Sequence, residues 1–316
     1  MLVSVVVPAL RFDEALLRLL SSLRSLAYKD FEVIVVTPDP PKRTYEGVKV
    51  VRDEGLGPGA ARNKGAAIAK GDVIAFIDSD CVADREWLKG LVSELSEGVG
   101  AVAGPTFAAS AGRFLERFLE SSFLSPFPKY GCKVVMEGDF KPATFVTTSN
   151  LAVRKEAFEA VGGFDESYGR SGSEDMDLVY RILRAGYKVV YSPKPKVYHF
   201  HRFRLKEVLK RYFEYGEGFS TFLLKHPESV FSKTAGGSLI AFMSLYVLSL
   251  LLSLTPYRWF GALLALLPYC GLSLFHGLKL GAIPTCLAYS ALDVLLAWAS
   301  ALGFLKGLLG KLFKAI

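Results

Sequence analysis

Short apolar runs rich in valine alternate with helical patterns along the N-terminal part of this chain. The runs are residues 3–7, 32–36, 48–51, 73–77 and 99–103. They are nearly continuous, which is typical of strands covered on both faces and hence of a mostly parallel sheet. Between the first two runs, leucines recur at helical spacing over residues 16–26. The pattern predicts βαβ units, whose ligands bind outside the carboxyl ends of the strands.

The C-terminal part carries apolar runs that are long enough to cross a lipid bilayer as helices. Residues 234–257 and 259–278 contain no charged side chain, and residues 280–305 contain only Asp293. About 20 apolar residues in a helix span the ~30 Å hydrocarbon core. The pattern predicts a membrane region over 234–316 with two to three transmembrane helices.

A basic juxtamembrane segment, residues 201–233, precedes the first long apolar run and contributes to a net charge of +7. Its cations suit an anionic cytoplasmic leaflet, at ~1 kcal/mol for each charge near the surface. They are Arg202, Arg204, Lys206, Lys210, Arg211, Lys225 and Lys233. We therefore expect a multi-pass protein of the cell membrane with its N-terminal domain in the cytoplasm. Nucleic acid is not an expected partner, because no nucleic-acid motif accompanies the charge.

The number of membrane crossings stays open at this stage. Three crossings from the cytoplasm place the basic tail, Lys306, Lys311 and Lys314, on the outer face, against the positive-inside rule. Either one apolar segment is re-entrant or interfacial, or the tail lies outside.

An amphipathic pattern covers residues 112–127, where phenylalanines and leucines alternate with four charged side chains. The charged residues are Arg113, Glu116, Arg117 and Glu120. A helix with this pattern either lies in the membrane interface or packs on the core of its own domain, and both interpretations stay open.

The four cysteines include no CxxC pair. We therefore expect neither a disulfide framework nor a zinc site, and the N-terminal domain fits a reducing compartment.

Two carboxylates follow the apolar run that ends at residue 77. Asp78 and Asp80, separated by Ser79, lie where the chain leaves the predicted sheet. Carboxylates at this spacing can share one Mg²⁺ or Mn²⁺ ion, which takes oxygen ligands and keeps positions open for phosphate oxygens. The triplet alone is a weak signal, because acidic turns at strand ends are common.

A glycine-rich loop over residues 55–65 precedes the same strand. Its proline and spacing do not match a dinucleotide-binding fingerprint. Arg62 and Lys64 could approach a nucleotide, and the alternative is a loop that only enters a helix.

Taken together and in order, the motifs resemble family 2 glycosyltransferases with the GT-A fold. The run GPGAARNKGAAIAKGDVIAFIDSD, residues 57–80, is similar to the nucleotide-sugar half of that family. Later motifs follow in the family's order: TTSNLAVR at 147–154, VGGFDE at 161–166 and GSEDMDL at 172–178.

The resemblance implies a GT-A domain over 1–200, with a nucleotide-sugar half at about 1–106 and an acceptor half at 107–200. The fold class expected is α/β, with a Rossmann-like, mostly parallel sheet, helices on both of its faces, and transmembrane helices C-terminal to it.

The resemblance also implies roles for matching residues. Asp78, Ser79 and Asp80 would bind the donor, with Asp78 and Asp80 holding a divalent cation and Asp80 the nearer ligand. Asp175, in the pair Glu174-Asp175, would be the catalytic base. Acids also favour a helix N-terminus, and a base there would be held on a rigid element.

Further matching positions lie on both halves. Pro8, Asp39 and Arg62 fall on the donor side, and Ser149, Asn150 and Arg202 on the acceptor side. Asp39 is a shifted match, because the family usually ends its second strand with two aspartates followed by glycine and serine. This departure leaves the nucleotide base, in a UDP or a GDP sugar, undetermined.

His199 and His201 follow the later motifs. The resemblance implies that a histidine near this point completes the metal site or touches the diphosphate, and His199 matches better by position. Mn²⁺ accepts imidazole more readily than Mg²⁺ does.

The expected function is therefore inverting transfer of one sugar from a nucleoside diphosphate sugar to a hydroxyl of a lipid-linked acceptor at the cytoplasmic face. The processive-synthase motif of glutamine, two spacers, arginine and tryptophan is absent after residue 200. A polyprenyl-phosphate sugar synthase is a narrower alternative, and a non-catalytic sugar- or lipid-binding membrane protein is one of a different class.

Overall fold

The computed structural model describes residues 1–41, 43–110, 112–127, 129–200 and 204–313, except for the side chain of Ala143. Contacts between backbone positions divide the chain into two compact units. The first unit comprises Met1–Ser110 and Pro126–His201, and the second comprises Ala111–Ser125 and Arg202–Ile316. His201, Arg202 and Lys314, which the sequence singles out, lie outside the described residues.

The strands of the described residues all belong to the first unit. They are β1 Val3–Pro8, β2 Phe31–Thr37, β3 Val48–Arg52, β4 Val73–Phe76, β5 Cys81–Ala83, β6 Val99–Ala103, β7 Thr106–Ala108, β8 Val134–Met136, β9 Leu151–Arg154, β10 Lys188–Tyr191 and β11 Val197–His199. The five apolar runs of the sequence correspond to β1, β2, β3, β4 and β6, so these predicted strands are confirmed.

The helices belong to both units. In the first unit they are α1 Glu14–Arg24, α2 Pro58–Ala67, α3 Trp87–Val92, α5 Lys155–Ala160 and α6 Glu174–Arg184. In the second unit they are α4 Phe114–Ser121, α7 Leu205–Lys225, α8 Val230–Ser253, α9 Arg258–Leu280 and α10 Ile283–Leu312.

The main sheet has eight strands in the order β3-β2-β1-β4-β9-β6-β10-β8. Its pairs are parallel from β3 through β4 and between β6 and β10, as predicted. Strand β9 is antiparallel to both β4 and β6, a reversal that the apolar pattern does not reveal. Every residue of β4 and β6 is buried, as expected for strands covered on both faces.

Helix α1 shows how the local sequence produces an element of this fold. The carboxylate of Asp13 accepts hydrogen bonds from the backbone N–H groups of Ala15 and Leu16, which stabilises the first turn. Leucines at helical spacing are buried against the sheet side of the core: Leu16, Leu19, Leu20 and Leu23.

A second sheet of three strands, in the order β5-β11-β7, lies beyond the end of β4 in sequence. Strand β11 pairs antiparallel with β5, and His199 lies opposite Cys81 in this register. The same strand pairs parallel with β7. This small sheet brings the end of β11 to the residues that directly follow β4.

The second unit is helical in its described part. Within the residues that the structure describes, α8, α9 and α10 are long and apolar enough to cross a membrane, which supports membrane association. Helix α4 is the amphipathic segment of the sequence, and it buries its apolar face against α7 and α10. The shared cluster contains Phe118, Leu119, Val208, Tyr212, Tyr289 and Leu296.

Candidate active site

Three sequence-predicted donor residues follow neighbouring strands of the main sheet. Pro8 ends β1, Asp39 lies two residues beyond β2, and Asp78 lies two residues beyond β4. Since β2, β1 and β4 are adjacent and parallel, their carboxyl ends meet at one edge of the sheet. Asp39 is exposed there, and its backbone N–H donates to Thr37 Oγ1 at 3.3 Å.

Arg62 on α2 joins the two acidic motifs of the chain. Its Nη2 donates to Asp78 Oδ1 at 2.9 Å and its Nη1 donates to Glu174 Oε1 at 2.8 Å. The Arg62 and Glu174 side chains are almost fully buried, whereas that of Asp78 is 32% exposed. The sequence places Arg62 on the donor, and the structure adds that it holds the end of β4 against the start of α6.

The charge of Arg62 is firmly held. Burial by itself works to lower the pKa of the guanidinium, but the neighbouring carboxylates, Asp78 and Glu174 foremost, outweigh it and raise that pKa. Arg62 is therefore a permanent cation that neutralises two carboxylates in a buried place.

Asp80 faces His199 across the junction of the two sheets. The distance from Asp80 Oδ1 to His199 Nε2 is 3.3 Å, and the backbone N–H of Phe200 donates to the Asp80 carbonyl at 3.0 Å. The ring of Phe127 lies 5.0 Å from the imidazole and limits its orientation. The hydrogen bond and the strand pairing fix the backbone segments that carry these two side chains.

The Asp80–His199 pair has the geometry of a cation site. Two adjacent ligands of one octahedral cation, each at ~2.1 Å, lie about 3 Å apart, close to the observed separation. Asp80 is 42% exposed, so open positions remain for ligands from a substrate. An oxygen and an imidazole nitrogen suit Mn²⁺, and the residues present fit the expected cation.

Cys81 lies beside this pair, with its sulfur among the possible ligand atoms that lie within 4.8 Å of one another. The side chain is buried in the main core, and this burial, together with the charges of Asp80 and Asp78, raises the pKa of the thiol well above its usual range. Cys81 therefore belongs both to the hydrophobic core and to the group of side chains next to Asp80 and His199.

Asp175 lies in the first turn of α6 next to Glu174. The residue before them, Ser173, has a φ of +70°, an uncommon left-handed conformation for a residue other than glycine. This turn sets the direction in which the helix starts. Asp175 is half-buried, and its Oδ1 accepts a hydrogen bond from the backbone N–H of Met176 at 2.9 Å.

The environment of Asp175 favours a carboxyl group that gains and loses a proton near neutral pH. Burial and the charge of Glu174 raise the pKa of Asp175 to about 7, against the opposing effects of Arg62 and of backbone hydrogen bonds from Met176 and Thr148. A general base works best when its pKa lies near the working pH.

The glycine-rich loop packs tightly against the loop that precedes α6. Gly57 has a φ of +146°, and a Cβ atom there would collide with the carbonyl of Gly169. Arg170 Nη2 donates to the carbonyl of Gly55 at 2.7 Å. The donor loop and the base motif are therefore held to each other at a second place.

Asn63 on α2, which the sequence reasoning did not single out, connects this helix to the segment that contains Phe164 and Glu166. Its amide nitrogen donates to the Phe164 carbonyl at 2.8 Å and to Glu166 Oε1 at 2.9 Å. Its amide oxygen accepts from the Phe164 backbone N–H at 2.8 Å. Its place next to Arg62 in the motif was the available signal, but its partners lie about a hundred residues away, at separations of 101 and 103.

The predicted acceptor residues Ser149 and Asn150 are buried. Asn150 Oδ1 accepts from the Trp87 indole N–H at 2.9 Å, and its amide nitrogen donates to the carbonyls of Pro105 and Pro195 at 2.9 and 2.8 Å. Ser149 Oγ lies 3.0 Å from Thr106 Oγ1. In this structure both side chains hold loops together, while Arg202 lies outside the described residues.

A mostly parallel sheet with an Asp-Ser-Asp turn at its carboxyl edge, joined through Arg62 to a helix that starts with Glu174-Asp175, fits the GT-A fold expected from the sequence. The family model "Glycosyl transferase family 2" matches residues 4–162, and "N-terminal domain of galactosyltransferase" matches residues 136–204. The chain belongs to glycosyl transferase family 2.

Several curated proteins are similar in sequence. A "Pre-mycofactocin glycosyltransferase" of Mycobacterium tuberculosis is 29% identical over 95% of this chain and 63% of its own length. The chain thus spans less than two thirds of that relative. A "Glucosyl-dolichyl phosphate glucuronosyltransferase" of Haloferax volcanii is 30% identical over 46% of this chain and 49% of its own length.

A solved structure shares the fold at low sequence identity. It is a mannosyltransferase from Pyrobaculum calidifontis in complex with GDP-Man and Mn²⁺, with a TM-score of 0.60 and 16% identity. The match covers 98% of this chain and 87% of that one. The GT-A fold expected from the sequence is therefore confirmed.

Proposed function

We propose that this protein transfers one sugar from a UDP or GDP sugar to a hydroxyl group of a lipid-linked glycan or glycolipid, with inversion, at the cytoplasmic face of the membrane. The observation that carries the proposal is the Arg62 bridge, which brings the donor motif at Asp78 beside the base motif at Glu174. Three apolar helices in the same chain favour an acceptor that resides in a membrane.

The base favours a hydroxyl as the attacking group. A phosphate acceptor is mostly ionised at neutral pH and hardly needs a base, since its second pKa is ~6. A hydroxyl needs one, and Asp175 with a pKa of about 7 can take its proton. The name of the Haloferax relative, which refers to a glucosyl-dolichyl phosphate, agrees with a sugar on a lipid as acceptor.

The proposed reaction is a single displacement. Asp175 accepts the proton of the acceptor hydroxyl while that oxygen forms a bond to the anomeric carbon of the donor sugar. The bond from this carbon to the diphosphate oxygen breaks, and the nucleoside diphosphate leaves with the electron pair. Attack from the side opposite the leaving group inverts the anomeric centre.

The other site residues position and neutralise charge. Asp80 and His199, with Asp78 nearby, would hold a divalent cation, which when bound stabilises the charge that develops on the diphosphate. Arg62 keeps Asp78 and Glu174 in place, and its buried Nε has no hydrogen-bond partner among the described residues. Gly57 keeps the donor loop close to Gly169.

A donor screen tests the proposal. Membranes or detergent-solubilised protein would be mixed with individual UDP and GDP sugars, with Mn²⁺ or Mg²⁺, and with or without a lipid extract of the source cells. Lipid-stimulated release of nucleoside diphosphate from one donor is expected. Analysis of the product distinguishes a glycosidic bond to a hydroxyl from a sugar phosphate, which would indicate a polyprenyl-phosphate sugar synthase.

Asp175→Asn is the matching variant, and Asp165→Asn, in the preceding motif, is its control. We expect Asp175→Asn to lose transfer while keeping donor binding, because the amide cannot accept the proton. Transfer by Asp175→Asn at the rate of the Asp165→Asn control would reject the base assignment. Donor binding without transfer in the unaltered protein, whatever the lipid, would favour a non-catalytic binding protein.

A further inference from the structure

Helix α10 has the composition of a transmembrane helix, but its neighbours in the second unit carry many charges. It packs along α7 in the same direction: a Cβ atom on Gly216 would collide with the carbonyl of Ser300, and one on Gly307 would collide with Ser220 Oγ. Further along, Lys311 Nζ contacts Thr221 Oγ1 at 2.5 Å. The contact with α7 therefore continues to the last turn of α10.

Helix α7 carries too many charged residues to lie in the hydrocarbon core of a membrane. Its described charged residues are Lys206, Glu207, Lys210, Arg211, Glu214, Glu217 and Lys225. One of them, Glu217, forms an ion pair with Lys306 of α10 at 3.1 Å. A charged side chain at the centre of a bilayer is costly, so α7 and the part of α10 beside it belong outside the hydrocarbon core.

The N-terminal half of α10 is held by the segment that contains α4. Asp293 is fully buried, and its Oδ1 accepts from Ser122 Oγ at 2.5 Å. Its Oδ2 accepts from the Phe123 backbone N–H at 3.1 Å and lies 2.7 Å from His276 Nε2. A mid-membrane position for Asp293 would draw the charged helix α4 into the hydrocarbon core as well.

Chain connectivity determines on which side of the membrane α4 and α7 lie. The segment 111–125 leaves the first unit and returns to it, and α7 follows the first unit directly. Candidate spans lie only after α7 in the described residues. Both helices therefore lie on the same side of the membrane as the first unit. Helix α10 contacts α4 in its N-terminal half and α7 near its C-terminal end.

The start of α8 and the end of α9 lie on this same side of the membrane. Phe231, at the start of α8, packs on Phe219 and Phe222 of α7. Lys279, at the end of α9, donates to the Ser121 carbonyl at 3.1 Å. Near the turn between the two helices, Ser249 Oγ donates to the Gly261 carbonyl at 2.7 Å.

We propose that α8 and α9 alone cross the bilayer, as one helical hairpin, and that α10 lies at the membrane surface on the side of the first unit, between α4 and α7. Leucines that point away from α7 would rest on the lipid: Leu287, Leu295, Leu302 and Leu309, all exposed. The basic C-terminal end, with Lys306 and Lys311, is then on the side rich in cations, in agreement with the positive-inside rule.

Cysteine labelling in sealed membrane vesicles tests this topology with the full-length chain. The background carries Cys132→Ser and Cys270→Ser, because these two cysteines are exposed, while Cys81 and Cys286 are buried. Single cysteines are then introduced by Lys89→Cys in the first unit, Thr255→Cys in the α8–α9 turn and Phe313→Cys beyond α10. A membrane-impermeant maleimide is applied before and after detergent.

We expect Lys89→Cys and Phe313→Cys to be labelled from the same side, and Thr255→Cys from the opposite side only. Labelling of Phe313→Cys only from the side that labels Thr255→Cys, and not under the conditions that label Lys89→Cys, would mean three crossings and overturn the proposal. Labelling of all three positions from one side would mean that the hairpin does not cross, which also overturns it. The background protein without an introduced cysteine serves as the control, because any labelling of it comes from the buried cysteines Cys81 and Cys286.

Discussion

At the residue scale, the site depends on a guanidinium buried between two carboxylates. Arg62 contacts Asp78 and Glu174 with separate nitrogen atoms, at 2.9 and 2.8 Å. A lysine could not reach both carboxylates with the same geometry, because its ammonium is a single point charge. We therefore regard Arg62 as the residue that assembles the donor and base motifs, in addition to any contact with a nucleotide.

Arg62→Met should destabilise the protein strongly. The substitution leaves Glu174, of which only 4% is exposed, as an uncompensated buried charge, and breaking a buried pair in this way costs ~3–5 kcal/mol. The apparent free energy of unfolding, measured in detergent by denaturant titration, reports the change. Adding Glu174→Gln to Arg62→Met should recover part of the loss, and a single variant as stable as the unaltered protein would contradict the bridge.

The pKa of Asp175 predicts the acidic side of the pH–rate profile. With a pKa of about 7, the carboxyl is mostly protonated below neutrality and cannot act as a base. We expect kcat/KM to rise about tenfold per pH unit below pH ~7 and to level off above it. The profile is measured with saturating divalent cation, and a flat profile from about pH 5 to 8 would contradict this role.

The contribution of Asp175 to folding stability should fall as the pH rises, whereas activity should rise. Folding raises the pKa of Asp175 from its ordinary value of 3.8, so between that value and about 7 the native state binds more protons than the unfolded state. Stability is therefore lost as the pH rises through this interval. Asp175→Asn, which cannot ionise, should unfold at the same or a higher temperature at pH ~8, so its loss of transfer would not come from unfolding.

At the element scale, glycines allow α7 and α10 to approach closely. A Cβ atom on Gly303 would collide with the carbonyl of Phe213, whereas Gly310 on the same helix has open space around its Cβ position. Small residues at such a contact let two helix backbones lie side by side. The pair provides a matched test of the α7–α10 contact.

Gly303→Ala and Gly310→Ala should change stability in opposite directions. Alanine is better than glycine in a helix by ~0.8–1 kcal/mol, a gain that Gly310→Ala can keep in part near the helix end. Gly303→Ala must separate α7 from α10 and should lower the unfolding temperature in detergent. Equal effects of the two substitutions would show that the close contact is not formed.

The small sheet illustrates what element patterns could and could not predict. The sequence places His199 after the later family motifs, and strand β11 is found there. The pairing of β11 with β5 was not predictable, because each strand has only three residues and offers no period to read. That pairing brings His199 to Asp80.

At the scale of the whole molecule, α10 differs from α8 and α9 because more of its surface packs on other helices. All three helices carry exposed leucines, and α10 in addition covers the apolar faces of α4 and α7. The C-terminal helix α10 thus has a packing role within the second unit, in addition to the membrane role that we propose for this region.

Truncation after residue 281 should separate the two roles. The shortened chain keeps α8 and α9 and should resist carbonate extraction from membranes. It should also aggregate in mild detergent, because Phe118, Val208 and Tyr212 lose their cover. Size-exclusion chromatography beside the full-length protein measures this, and a monodisperse truncated chain would contradict the packing.

The sequence by itself determined strands β1, β2, β3, β4 and β6, helix α1, the GT-A class and the positions of the acidic motifs. These properties follow from local periodicity and from short motifs, both of which depend only on residues close together in the sequence. The amphipathic segment 112–127 was also recognised as a helix, but not its partners.

Only the tertiary structure decided which of these groups meet. It paired Arg62 with Glu174 and His199 with Asp80, bonded the buried Asn150 to helix α3 and two loops, and placed α10 beside α7 and α4. Each of these outcomes is a contact between segments far apart in the chain. Such contacts depend on how the elements pack, and local composition and spacing do not encode the packing.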